Sequence, residues 1–281
     1  MSVLDIGDPN RPVDLIWCHA TGLNAEAYLP ALLPLGTQLR ILALDMRGHG
    51  QTTLPADPAR LKSWRVFAED VVAFLDMAGV NHPVTLAGHS MGGATAIIVA
   101  DQIGTRAKNL LLLDPVLLPR RVYWMNNIPG LRSLAFRKSP MVENALRRRA
   151  TFDSRDAAFE TYRSRSAFRT WPEDALRAYI EGGFDDREDG VALSCAPAWE
   201  AATFRGAMSV NLWPMLARLK APLHILRAER GSTCALTTGQ RVGRTVETIA
   251  GSTHFLPIER PELLRGAALE ACAIKSVMTE G

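Results

Sequence analysis

A chain of 281 residues with 47% apolar side chains can fill the core of one large α/β domain, or of a domain carrying an insertion. Thirty-two basic against 29 acidic residues leave a formal charge of +3, too small a bias to point to nucleic acid. The first eight residues lack a basic, apolar leader pattern and no apolar run approaches the roughly 18 residues of a membrane helix; Cys18, Cys195, Cys234 and Cys272 show no Cys-x-x-Cys pair or metal spacing, so the expectation is a reduced, cytoplasmic protein, monomer or homodimer, with no membrane or nucleic-acid partner and no metal.

Taken in order, residues 3–6 and 13–18 read as strands, the second running into the loop His19-Ala20-Thr21-Gly22. A helix is predicted over 25–33 with Asn24 as its cap, then a strand over 39–44 ending in Asp45-Met46-Arg47-Gly48-His49-Gly50. Apolar residues at helical spacing predict a helix over 61–78, stopped by Gly79. Residues 83–87 form a short buried strand, 94–100 a packed helix of small residues, and 109–113 a fully apolar strand ended by Asp114-Pro115. Strands that alternate with helices imply a parallel sheet covered on both faces. From 116 to 213 the buried-strand signal disappears. Helical stretches over 140–150, 154–166 and 172–181, interrupted by a loop at 182–190, read as an insertion lying over the carboxyl edge of the sheet. Strands resume over 222–227 and 245–249, and a helix over 261–277 closes the chain. The expected division is a core of 1–115 and 214–281 with a helical cap of 116–213.

Between the strand at 83–87 and the helix at 94–100 lies Gly88-His89-Ser90-Met91-Gly92-Gly93, the Gly-x-Ser-x-Gly pattern of a nucleophile elbow. The strand-to-helix turn lifts Ser90 clear of the sheet at a helix N-terminus, where free N–H groups favour developing negative charge. A serine hydroxyl needs a neighbouring base. His254 is the candidate, in Gly251-Ser252-Thr253-His254-Phe255 after the last strand and before the terminal helix. The other histidines suit that role less. His89 points away from the nucleophile, His224 lies within a strand, His82 is a turn residue, and His19 and His49 brace loops.

Ser90 in its elbow, the loops at 19–22 and 45–50 and the His254 loop together resemble the α/β-hydrolase superfamily over essentially the whole chain outside the insertion, which falls where that family carries its cap. The resemblance implies an eight-stranded-type, mostly parallel sheet, a catalytic Ser90 and His254, no cofactor, and an oxyanion site made by the N–H groups of Thr21 and Met91. Two positions depart from the family pattern. The oxyanion loop, commonly His-Gly-x, is His19-Ala20-Thr21 here. The aspartate usual after the seventh strand is replaced, since Ala228-Glu229-Arg230-Gly231 puts a glycine there. Three alternatives follow: Asp114, at the end of the sixth strand, where some relatives keep their acid; Glu229; or no acid at all. A serine at the elbow implies acyl chemistry. The first expectation is hydrolysis of carboxylic esters with small or medium acyl chains through an acyl-serine intermediate. The alternatives are a C–C bond hydrolase of aromatic meta-cleavage products and a ligand-binding protein with little turnover.

The insertion holds Arg120, Arg121, Arg132, Arg137, Lys138, Arg147, Arg148, Arg149, Arg155, Arg163, Arg165 and Arg169. They read either as a basic rim for an anionic substrate or as a solvated helix face. Its apolar residues Tyr123, Trp124, Met125, Phe136, Phe152, Phe159, Tyr162, Phe168 and Trp171 either line a pocket or pack the cap on the core.

Overall fold

A computed structural model describes residues 1–125, 139–241 and 243–273. The elements are β1 (Ser2–Ile6), β2 (Leu15–Cys18), α1 (Leu29–Leu32), β3 (Ile41–Asp45), α2 (Arg65–Met77), β4 (Val84–His89), α3 (Met91–Ile103) and β5 (Ala107–Leu113). Between β5 and the return of the sheet come α4 (Arg120–Met125), α5 (Pro140–Leu146), β6 (Thr151–Phe152), α6 (Arg155–Arg163), α7 (Glu173–Gly183), β7 (Phe184–Arg187), β8 (Gly190–Leu193), α8 (Pro197–Arg205) and α9 (Trp213–Arg218). The chain then returns through β9 (Leu223–Ala228), β10 (Gly239–Arg241), β11 (Arg244–Ile249), α10 (Leu256–Glu259) and α11 (Pro261–Ala273).

The main sheet has eight strands in the order β1-β3-β2-β4-β5-β9-β11-β10, parallel except for the two edge pairings β1–β3 and β10–β11. Its central strands β2, β4 and β5 are mostly apolar because both faces are covered. On β5 the side chains alternate between two cores, Leu111 and Leu113 on one face with α11, Leu110 and Leu112 on the other with α3. Register then fixes the upper edge. Cys18 pairs Gly88, His89 pairs Leu113, Leu113 pairs Leu226, and Ala228 pairs Ile249. The residues that follow these strand ends therefore emerge side by side, at the point where the strand order reverses around β2 and β4.

Several predicted elements differ from the observed ones. The helix over 25–33 is broken into a 3₁₀ turn at Glu26–Tyr28, α1, and a second 3₁₀ turn at Leu33–Thr37, because Pro30 and Pro34 each remove a backbone donor. Asn24 does cap the start, its Oδ1 accepting the Ala27 N–H at 2.9 Å. The loop expected at 182–190 is a hairpin. β7 and β8 pair antiparallel and β6 adds a third strand, giving the cap its own small sheet. Only Phe184 of β7 is buried, so that strand lacks the apolar run of a core strand. The helix α8 also went unpredicted, although Trp199, Ala201, Ala202 and Thr203 are buried along it. Residues 274–277 of the predicted last helix lie outside the described residues.

In the cap, Tyr123, Phe152, Phe159, Tyr162 and Trp171 are buried, and Phe168 packs against the rings of Tyr162 and Trp171. These aromatics hold the cap together and to the core. Several of the arginines have partners within the cap. Arg147 pairs with Glu143, Arg149 with Asp153 and Arg155 with Glu181 and Asp186, while Arg163 and Arg165 lie over the rings of Phe159 and Tyr162. Arg132, Phe136, Arg137 and Lys138, and the side chains of Trp124 and Met125, lie outside the described residues. All four cysteines are buried free thiols, and burial pushes the Cys18 thiol up to about 12 and the Cys234 thiol to about 11.

Two glycines give opposite expectations. A Cβ on Gly92 would meet the Cys18 carbonyl oxygen at 2.0 Å, a backbone atom that cannot rotate away, whereas Gly266 in α11 has open space around it. Gly92→Ala should destabilise the protein by about 1–3 kcal/mol or more and Gly266→Ala should stabilise it by about 0.5–1 kcal/mol; urea unfolding of the two variants checks both signs.

Candidate active site

Ser90 sits between β4 and α3 with φ 55° and ψ −114°. Among the described residues, only Ser90 and Asp114 are non-glycine residues with positive φ, Asp114 having φ 41°. Such backbone is sparsely populated and costs on the order of 1–3 kcal/mol per residue, so it persists only where the surroundings over-determine it. At Ser90 they do. Its N–H donates to the Leu113 carbonyl at 3.0 Å, and its carbonyl accepts from Ala94 at 3.1 Å and Val116 at 3.0 Å. Gly88, Gly92 and Gly93 allow the approach, since a Cβ on Gly88 would lie 2.5 Å from the Gly92 backbone.

The turn after β11 brings His254 to the serine. His254 Nε2 lies 3.0 Å from Ser90 Oγ, and His254 Nδ1 lies 2.6 Å from Asp114 Oδ2. Asp114 is fully buried. Its carboxylate accepts the Ala228 N–H at 3.0 Å and the Thr233 N–H at 3.0 Å, together with the Ser232 hydroxyl. Burial works to raise the Asp114 pKa, but the hydrogen bond and charge of His254, with those donors, outweigh it and hold the carboxyl below the ordinary carboxylate range. The group facing His254 is therefore an anion. Glu229 points elsewhere, its Oε2 accepting the Gly251 N–H at 2.9 Å. It ties down the start of the His254 loop and does not meet the imidazole. The loop is held further by Glu259, which accepts from the Thr253 hydroxyl at 2.7 Å and also from Thr170 of the cap.

Met91 is the first residue of α3, where N–H groups have no intrahelical acceptor, and it is fully buried. Thr21 follows β2 in the adjacent loop, whose His19 ring accepts the Met46 N–H at 3.0 Å through Nε2 and donates from Nδ1 to the Ala20 carbonyl at 2.7 Å. His19 thus ties the loops at 19–22 and 45–50 together. Burial holds it neutral, with its pKa down to about 4.

A buried cluster in the cap covers this loop. Arg148 donates to Glu200 Oε2 at 2.8 Å and to the Tyr162 hydroxyl at 2.8 Å, and also reaches the Tyr179 hydroxyl. Tyr179 in turn donates to the Gly22 carbonyl at 3.2 Å. Gly22 is required here, with φ +73° and Glu200 Oε1 2.4 Å from where its Cβ would stand. Sequence reading placed Arg148 among the surface arginines and did not single out Glu200 or Tyr179. One arginine of the run 147–149 carries no local mark of burial.

The sequence profile of the alpha/beta hydrolase family matches residues 15–267. The 2-(acetamidomethylene)succinate hydrolase of Mesorhizobium japonicum is 22% identical over 259 residues, 89% of this chain and 84% of that one. The (E)-2-((N-methylformamido)methylene)succinate hydrolase of Acinetobacter baylyi is 37% identical over 102 residues, 36% of this chain and 37% of its own. The crystal structure of an E-2-(acetamidomethylene)succinate hydrolase superposes with a TM-score of 0.74 at 20% identity, covering 96% of this chain and 93% of that one.

The histidines around the site give a pH dependence of stability. Burial lowers His19 to about 4, and lowers His49 and His89 to about 3, from an ordinary 6.5. Below pH 6.5 the unfolded chain takes up protons that the folded chain refuses. Their contribution is therefore fully present above pH 6.5 and is lost as pH falls toward the folded values, by up to about 1.4 kcal/mol per pH unit for each histidine. Urea-unfolding free energies measured between pH 7 and pH 4.5 should fall steeply; a flat profile would contradict the neutral assignment.

Proposed function

Because the chain belongs to the alpha/beta hydrolase family, we propose that it is a serine hydrolase acting on carboxylic esters of small or medium acyl chains through an acyl-serine intermediate. The observation that carries this reading is the continuous hydrogen-bonded line Ser90–His254–Asp114, at 3.0 Å and 2.6 Å. In the proposed reaction, Ser90 Oγ attacks the acyl carbonyl while His254 Nε2 takes its proton. The N–H groups of Met91 and Thr21 are the donors assigned to the oxyanion that forms. His254 then gives its proton to the departing alkoxide, and a water molecule repeats the sequence to release the acid. Asp114, rather than Glu229, holds the imidazole tautomer and balances the imidazolium charge. This chemistry asks for no cofactor.

A second reading concerns the substrate only. The Mesorhizobium and Acinetobacter relatives are named as hydrolases of substituted succinates, which favours an acidic acyl substrate handled by the same serine. The C–C substrate class, the alternative drawn from the sequence, would use the same groups, and a chromogenic dienone distinguishes it.

A chain-length series of nitrophenyl esters tests the first reading. Wild type should turn over, and Ser90→Ala, folded by circular dichroism, should lose at least about 10³-fold in kcat. A folded wild type inert on every ester, yet active on a succinate-bearing amide or a dienone, would replace ester hydrolysis. Asp114→Asn should lower kcat by about 10²–10⁴-fold, whereas Glu229→Gln should stay within about threefold of wild type; the reverse pattern would move the orienting role to Glu229.

A further inference from the structure

His89 and Tyr28 play no part in the chemistry above, yet they join the three segments that carry it. Both are buried, His89 completely. The residue before the nucleophile shares a face of β4 with Ala87, the face on which Tyr28 packs. The Ala20 N–H donates to the Tyr28 hydroxyl oxygen at 3.2 Å. Tyr28 Oη lies 2.7 Å from His89 Nδ1, and His89 Nε2 lies 2.7 Å from the carbonyl oxygen of His254.

Only one proton arrangement satisfies every member. A carbonyl can only accept, so His89 Nε2 carries the hydrogen. Nδ1 is then a lone pair and takes the Tyr28 hydroxyl proton, which leaves the Tyr28 oxygen free to accept from Ala20. Burial supports the neutral ring, with the His89 pKa pushed down to about 3. An apolar residue at either position could fill the volume, but it would not link Ala20 to His254.

We propose that Tyr28 and His89 form a positioning relay that fixes the main chain of His254 and of the loop carrying Thr21 relative to Ser90. The proposal rests on the acyl-serine reading. In it, the His254 imidazole is set from two sides. Asp114 orients the ring through Nδ1, and His89 holds the peptide from which the ring projects. The same chain of hydrogen bonds anchors the residue before Thr21, so the base and the second oxyanion donor are referenced to one side chain within the elbow. The His89 and His254 rings lie 4.9 Å apart, so a neutral His89 also keeps a second positive charge away from the imidazolium that forms during turnover.

The test uses Tyr28→Phe, which keeps the ring against Trp17 and deletes only the hydroxyl, with His89→Leu and His89→Gln. Two readouts are taken: the rate at which a fluorophosphonate labels Ser90, and kcat and KM on a nitrophenyl ester per titrated active site. Tyr28→Phe should slow labelling and lower kcat about tenfold with KM within twofold, and His89→Leu should lower both about a hundredfold. His89→Gln, whose amide can still donate to the His254 carbonyl, should recover part of that loss. A core that has merely loosened would reduce the titrated fraction without this split. Labelling and kcat at wild-type level in both Tyr28→Phe and His89→Leu would overturn the relay while leaving the acyl-serine reading intact. A wild-type Ser90 that the reagent does not label would overturn that reading and the relay with it. Should His89→Leu fail to fold, Tyr28→Phe alone decides.

Discussion

A carboxylate with no exposed surface is the constraint around which the upper edge of this molecule is arranged. An unpaired ion at the position of Asp114 would cost several kcal/mol, so its oxygens must be met from every side. The donors come from the end of β9 at Ala228, from the following loop at Ser232 and Thr233, and from the loop after β11 at His254. Satisfying one buried charge thus brings the stretch 228–233 and His254 to a residue more than 100 positions earlier in the chain. The left-handed backbone at Asp114 is tolerated for the same reason. The hydrogen bonds specify it, and aspartate accepts that conformation more readily than most residues.

Much of this could be read from the sequence because the signals are local. The apolar runs of β2, β3 and β5, the glycines around Ser90 and the position of His254 after the last strand each mark themselves within a few residues. The two candidate acids could not be separated in that way. Asp114 and Glu229 both follow strands, and only the turn of the backbone decides which side chain faces the imidazole and which faces Gly251. The cap was harder still. A strand such as β7, with one buried residue in four, has no periodicity to detect. Arg148, buried against Glu200, is indistinguishable in sequence from Arg147 and Arg149 beside it.

The cap and core are joined by polar contacts as well as by aromatic packing. Tyr179 reaches the Gly22 carbonyl, Thr170 reaches Glu259 at the end of α10, and Trp171 meets Phe255 with ring centroids 5.3 Å apart. Each contact lands on a loop that bears part of the candidate site, or on the residue that braces that loop, rather than on the sheet beneath it. Several arginines of the outer cap surface, Arg147, Arg149 and Arg155, face acids nearby. Such exposed pairs contribute little to stability, and they leave less net positive field than the bare count suggests.

The unit β4–α3–β5 carries both Ser90 and Asp114, and this has a consequence for how the molecule assembles. His254 stands 140 residues from Asp114 and 164 from Ser90 along the chain, whereas the other two are separated only by α3 and β5. Closing a chain segment costs entropy that grows with the logarithm of its length, and the difference here is about 1.5 kcal/mol. The strained backbone of Ser90, bonded to Leu113, Ala94 and Val116, can therefore be set within one local folding unit, while Asp114 waits for its donors at Ala228, Ser232, Thr233 and His254. The base joins them only when the far end of the chain docks, so the serine stays without its partner until the whole sheet is complete.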